Sequence, residues 1–262
     1  MRTKSLTAAA FLILATSLVY ISMMVVPAVE DKKEMPNISK FAIVELFTSE
    51  GCSSCPAADK LLNELYTEYK EKNIQVFCLA FHVDYWNYLG WNDDFSRKEF
   101  SQRQYRYGEI FGLQSVYTPQ AIVNGATEFV GSNRSRMENA ITSALSMDPQ
   151  VFIDLKGCFV LADTTIKVIY SVKSLPTDGT LNFAVVERGL TREIKRGENS
   201  GKILFHDHVV RAFVQSKDQS RQDMTIIIPS GIILERASLI VFAQGQSSMK
   251  IIGASSLEIK SK

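Results

Sequence analysis

Apolar residues change their rhythm several times along this chain. Phe41 to Phe47 is an apolar, β-rich run and reads as a buried strand. From Pro56 to Lys70 the apolar positions Ala58, Leu61, Leu62, Leu65, Tyr66 and Tyr69 return at helical spacing, and Pro56 suits a first turn, where its missing N–H costs nothing. Ile74 to Val83 is a second buried strand, and two strands joined through a helix imply parallel pairing with a right-handed crossover. Residues 84–112 are irregular and aromatic, with a helix predicted from Asp93 to Tyr107. Pro119 opens a further strand that ends in the turn signal Asn124-Gly125, and Thr127 to Val130 completes a hairpin. Ser132 is placed to cap a helix bearing Met137, Ile141, Ala144 and Leu145, which stops at Asp148-Pro149.

Beyond Pro149 the helical rhythm is lost. Val151–Val160, Thr165–Val172, Leu181–Glu187, Ile203–Val214, Met224–Ile228 and Leu239–Ala243 read as strands, separated by turn signals such as Gly197-Glu-Asn-Ser-Gly201. The fold class expected is α/β over residues 38–149, followed by an all-β, sandwich-like part over residues 150–262.

The N-terminus changes the setting. Arg2 and Lys4 precede an uncharged, mostly apolar stretch, and Val26-Pro27-Ala28 offers small residues for cleavage after Ala28, so residues 1–28 read as a signal peptide. The competing reading is a retained membrane anchor, against which Thr16, Ser17 and Ser22 interrupt the run. Either way the remainder is expected to be secreted, periplasmic or held outside the cytoplasm, after a polar linker over residues 29–40. The 262 residues carry 29 Lys and Arg against 28 Asp and Glu, so no basic field invites nucleic acid.

Export sharpens the meaning of the cysteines, because thiols outside the cytoplasm tend to be oxidised. Cys52 and Cys55 are spaced C-x-x-C where the first strand hands over to the first helix, whose N-terminal dipole favours a thiolate. This junction is the thioredoxin signature. Cys52 is the expected attacking sulfur, nearer the helix end and more exposed, and Cys55 the resolving one. Cys78 and Cys158 are isolated, and a bridge between them is left open. Two further residues fit a thioredoxin-type site. Pro119, after Thr118, stands where thioredoxin-like proteins hold a cis proline against the sulfurs, although an ordinary trans proline is the alternative. Glu45, mid-strand, is placed to pass a proton to the resolving cysteine if buried, or to face water if its strand is an edge; one residue more separates it from the cysteine than in thioredoxins. Thr118 and, in the aromatic loop, Trp86 are candidate substrate contacts. His82 and Asp84 end the second strand on the cysteine side, either to steady a thiolate or to order the aromatic loop. His206 and His208 share a strand face at metal-ligand spacing, without a third ligand nearby.

Taken together, Val44-Glu-Leu-Phe-Thr-Ser-Glu-Gly-Cys-Ser-Ser-Cys-Pro-Ala-Ala-Asp59, Ala80-Phe-His-Val-Asp-Tyr-Trp86, Val116-Tyr-Thr-Pro-Gln120, Arg196-Gly-Glu-Asn-Ser-Gly-Lys202 and His206-Asp-His-Val-Val-Arg211 resemble the secreted, thioredoxin-like family called domain of unknown function 1223. The resemblance implies a thioredoxin-like fold with an added all-β part, with Cys52, Cys55 and Pro119 in the thioredoxin-site roles. The expected function is an exported thiol–disulfide oxidoreductase that needs no cofactor and meets protein thiols, disulfides or a redox partner protein; a membrane is involved only if the N-terminal segment is retained. The alternatives are a copper-binding or copper-delivery protein using Cys52, Cys55 and His82, and a non-enzymatic interaction module with a structural disulfide.

Overall fold

The apolar run at the head of the chain becomes β1 (Phe41–Thr48), whose eight residues are all buried. A computed structural model describes residues 39–218 and 220–259. In it β1 lies between β2 (Gln75–His82), which runs parallel to it, and β3 (Gln120–Val123), which runs antiparallel. The link from β1 to β2 is α1 (Cys55–Glu71), with Pro56 in its first turn. A 3-10 turn at Asp84–Leu89 and α2 (Lys98–Phe111) lead to β3, and β4 (Thr127–Val130) closes the hairpin before α3 (Arg134–Ser146). The helix expected from Asp93 therefore begins five residues later, because the Asp93 carboxylate is taken by buried partners described below. The α3 cap is Asn133 rather than Ser132, its side chain accepting from the Arg136 N–H at 3.1 Å.

The second half is strand-built, as expected, through β5 (Phe152–Ala162), β6 (Thr165–Lys173), β7 (Gly179–Glu187), β8 (Leu190–Glu193), β9 (Ile203–His206), β10 (Val209–Ser216), β11 (Asp223–Ile227), β12 (Ala237–Gly245) and β13 (Ile251–Glu258). The arrangement differs from a sandwich standing apart. β10 docks parallel to β2, pairing Val209 with Ala80, and one eight-stranded sheet runs β13-β12-β7-β10-β2-β1-β3-β4. The sheet thus crosses the expected boundary at residues 149–150, and no division of the described residues falls there. The class is a mixed α/β fold with one large mixed sheet and additional antiparallel sheets, β11-β6-β5 and β8-β9.

Strand alternation assigns the two faces of the large sheet. On one face Ala42, Val44 and Leu46 of β1 meet Ala58, Leu62 and Leu65 of α1 and Met137 and Ile141 of α3. Further along that sheet, Leu181, Phe183, Leu239 and Val241 meet Ile166, Val168, Met224 and Ile226 of the three-stranded layer. On the other face Phe41, Ile43 and Phe47 of β1 join Phe81, Phe100, Tyr107 and Phe242 around α2. Cys78 belongs to the α1 core, Cys158 lies in β5 of the three-stranded layer, partly buried against its core, and both are free thiols.

The strand expected over Ile203–Val214 breaks at Asp207-His208, where His208 takes φ +59°. Its two pieces enter different sheets. The expected signal segment, residues 1–28, lies outside the described residues; among those described, no helix is long and apolar enough to cross a membrane.

Candidate functional site

Strand β1 delivers the chain into a tight turn, Ser49 to Ser54, from which α1 departs. Cys52 and Cys55 are joined there as a disulfide. Cys52 is only 1% exposed and Cys55 fully buried, which corrects the expectation of an open attacking sulfur. The Ser54 hydroxyl lies 3.4 Å from Cys52 Sγ and is the available donor, since a disulfide sulfur carries no proton.

A loop from the second half covers this turn. Asn199, itself buried, donates from Nδ2 to the carbonyl oxygens of Glu50 and Cys52, each at 2.9 Å. Lys202 Nζ donates to its Oδ1 at 2.9 Å and fixes the amide. Glu198 accepts the Ser53 N–H at 2.9 Å. That carboxylate serves a donor just ahead of the helix, where Ser54 makes no side-chain cap, and it complements the positive end of the dipole. The hydrogen bonds from Ser53 hold the Glu198 carboxyl below its ordinary value. Gly197 shapes the loop through its backbone: its φ of +77° lies in the left-handed region that favours glycine.

Beneath the turn lies a buried polar cluster that joins the two halves. His82 Nδ1 is 2.7 Å from Asp93 Oδ2, and the same oxygen accepts the Glu50 N–H at 3.0 Å. Burial alone would depress His82, but the Asp93 carboxylate outweighs it and raises the imidazole above its ordinary value. Burial would raise Asp93, while the charge and hydrogen bond of His82 pull it down to about 2. Both shifts favour the ion-paired form. His206 stacks edge-on to His82, ring centres 5.1 Å apart, with Nε2 3.3 Å from Glu50 Oε1 but out of line for a hydrogen bond. Glu50 accepts from Trp91 Nε1 at 2.7 Å and lies 3.4 Å from Arg192 Nε. Asp59, one helical turn beyond Cys55, accepts from Thr48 Oγ1 at 3.2 Å. Desolvation raises its pKa, against opposing pulls from His206 and His82.

Glu45 is fully buried, yet it faces away from the cysteines. Its odd position in β1 puts it with Ile43 and Phe47 on the α2 face, whereas α1 packs on the even positions. Arg103 Nε donates to Glu45 Oε1 at 2.6 Å, the Tyr107 hydroxyl donates to Oε2, and Gln244 binds Arg103 and Tyr107 at 3.0 and 2.8 Å. The guanidinium sits 5.2–5.6 Å from the ring centres of Phe81, Tyr107, Phe213 and Phe242. Burial would lower Arg103, but Glu45 raises it. This placement, on the face of β1 opposite the helix that carries the cysteines, speaks against the proton-passing role expected of Glu45. The extra residue before Cys52 is the sequence sign of it, since one position shifts a strand residue to the other face.

The Thr118–Pro119 peptide is cis, the isomer expected. Trp86 Nε1 donates to Thr118 Oγ1 at 2.7 Å, and Trp86 also lies over the cysteine turn, 3.1 Å from where a Gly51 Cβ would stand. The two candidate substrate contacts thus hold each other and tie the proline loop to the cysteine turn. Asp84 instead accepts from Ser101 Oγ at 2.5 Å and anchors α2. His208 is separated from His206 by the strand break: it packs at a tilt against Tyr66, ring centres 4.2 Å apart, and burial, aided by Arg188 and Lys70, depresses it to about 3. Among the described residues no three His, Cys, Asp or Glu side chains gather to hold a metal ion.

Sequence reading did not single out Asn199, Glu198, Asp59 or Asp93. The first two lie in Gly197-Glu-Asn-Ser-Gly201, where the paired glycines signal a turn without showing what it covers.

Fold and site define a mixed α/β protein with a buried C-x-x-C disulfide closed over by a loop of its own second half. The chain belongs to the family described as protein of unknown function (DUF1223), which matches residues 43–244. A crystal structure of protein AGR_C_4864 from Agrobacterium tumefaciens is similar at 27% identity and TM-score 0.60, over 87% of this chain and 98% of that one. A domain of the outer membrane lipoprotein Omp28 from Porphyromonas gingivalis aligns at 13% identity and TM-score 0.26, over 43% of this chain and 89% of its own. No curated protein matches.

Proposed function

We propose that this protein is an exported thiol–disulfide oxidoreductase whose first half is thioredoxin-like. The observation that carries the reading is the disulfide at the β1–α1 junction of a parallel β-α-β unit, with the Thr118–Pro119 loop tied to its turn through Trp86. The export part rests on the N-terminal sequence alone.

The reaction is an exchange with a partner protein dithiol. A partner thiolate attacks Cys52 Sγ, the S–S bond breaks, and Cys55 leaves as a thiolate that takes a proton. The partner's second thiolate then attacks the mixed disulfide and releases Cys52, leaving the partner oxidised by two electrons and this protein reduced. The reverse sequence reduces a partner disulfide. Asp59 replaces Glu45 as the carboxylate on the cysteine face of α1 and is the proton donor and acceptor for Cys55, its raised pKa moving it toward the working range. Because Cys52 is covered, exchange requires the Glu198–Asn199 loop to lift.

The test is a Cys55→Ser variant expressed in its native compartment. Mixed disulfides on Cys52, identified by mass spectrometry, are expected. No trapped partner, together with a wild-type disulfide that resists strong reductant, would assign the bridge a structural role.

A further inference from the structure

We propose that the groove between α1 and β9 docks an extended segment of the exchange partner, alternating apolar with basic side chains; the inference rests on the thiol-exchange reading of the adjoining disulfide. The groove encloses about 600 Å³ and begins at Pro56, the residue after Cys55. One wall is the flank of α1 from Pro56 to Glu68, with Asp59 at its cysteine side, and the other is β9.

Three features select the occupant. Ile203 and Phe205 are 60% and 73% exposed and share one face of β9, while Leu204 and His206 between and beside them point inward. Two large apolar side chains presented together beside a groove mark a contact surface. Second, β9 pairs only with β8 among the described residues, so its other edge offers backbone groups to an added strand. Third, four carboxylates line the groove, Asp59, Glu64, Glu68 and Asp207, against Lys60. Arg134 offsets part of this by pairing with Glu64 and Glu68, and the balance still favours a basic ligand. The helix wall from Pro56 to Glu68 spans about 18 Å at the helical rise, which about five or six extended residues cover. A partner segment bound there brings a cysteine at its end to the covered turn.

The probe is a fluorescent, cysteine-free hexapeptide of alternating valine and lysine, titrated by anisotropy against the purified protein with its disulfide intact. The same peptide with glutamate for lysine is the control. Saturable binding of the lysine peptide, at least tenfold weaker binding of the glutamate peptide, and an at least tenfold loss in Phe205→Ser and in Ile203→Ser are expected. Both positions are exposed, and thermal unfolding checks that the variants keep their fold. Equal binding of the two peptides, no binding, or indifference to both substitutions overturns the proposal. So does a dimer in sedimentation that Phe205→Ser dissociates, which would assign the groove to a second copy. Since the probe carries no sulfur, its binding is read independently of trapping on Cys52. Binding without trapping keeps the docking surface and removes the exchange chemistry; trapping without binding does the reverse.

Discussion

Asn199 holds the carbonyl of Cys52 from 147 residues away in sequence, and the same amide holds the carbonyl of Glu50. Each such hydrogen bond contributes about 1 kcal/mol. Asn199→Ala is expected to favour the lifted loop and to speed reduction of the Cys52–Cys55 disulfide by dithiothreitol roughly tenfold or more, in line with the lost bonds. An unchanged reduction rate would show that the loop does not control access.

The Glu45–Arg103 pair makes a second case. Removing one partner of a buried ion pair leaves an uncompensated charge and costs about 3–5 kcal/mol. Arg103→Met is expected to lose stability of that order in urea unfolding. Glu45→Gln keeps the shape, is destabilising in the same sense, and leaves the pH profile of thiol exchange where it was. A displaced profile would restore the proton-passing role to Glu45.

Asp59 is raised in the folded state above its ordinary value of 3.8 by desolvation. Below that value both folded and unfolded states keep the proton. As pH rises past it, the unfolded chain ionises first and stability falls until the folded pKa is passed. Asp59→Asn removes this loss, so it is expected to match the wild type in strong acid and to exceed it at neutral pH in chemical unfolding. Its exchange rate should also lose one titration step.

His208 has the opposite sense. Its folded value of about 3 lies below the ordinary 6.5, so the unfolded chain takes up the proton first as pH falls. Stability present above pH 6.5 is lost progressively toward pH 3, by about 1.4 kcal/mol per unit at most. Asparagine tolerates the positive φ at this position. His208→Asn is therefore expected to flatten the acid limb of the stability curve over that window. An equally steep limb would place the acid sensitivity elsewhere.

Local patterning made the β1–α1–β2 unit legible, together with the cysteine turn, Pro119 and the strand-rich second half. Each of these is a matter of residue type at short spacing. The face of Glu45 was harder: β1 is apolar on both sides, so alternation in the sequence did not show which parity met α1. The break at Asp207-His208 was hidden because a histidine in the left-handed region leaves no glycine or proline to mark it. Asn199 and His206 come from the second half of the chain, whose β10 docks beside β2, a contact set by tertiary packing that hydrophobic periodicity does not encode; Asp93 returns to His82 through the irregular segment after β2, which has no periodicity to read.

The place of β10 also fixes when the molecule can be finished. Its neighbour β2 leaves the ribosome more than a hundred residues earlier, and until Val209–Ser216 follows, one flank of the central strands has nothing to bind. Closure of the large sheet on that flank therefore depends on a contact of long sequence separation, made only when the second half of the chain is present.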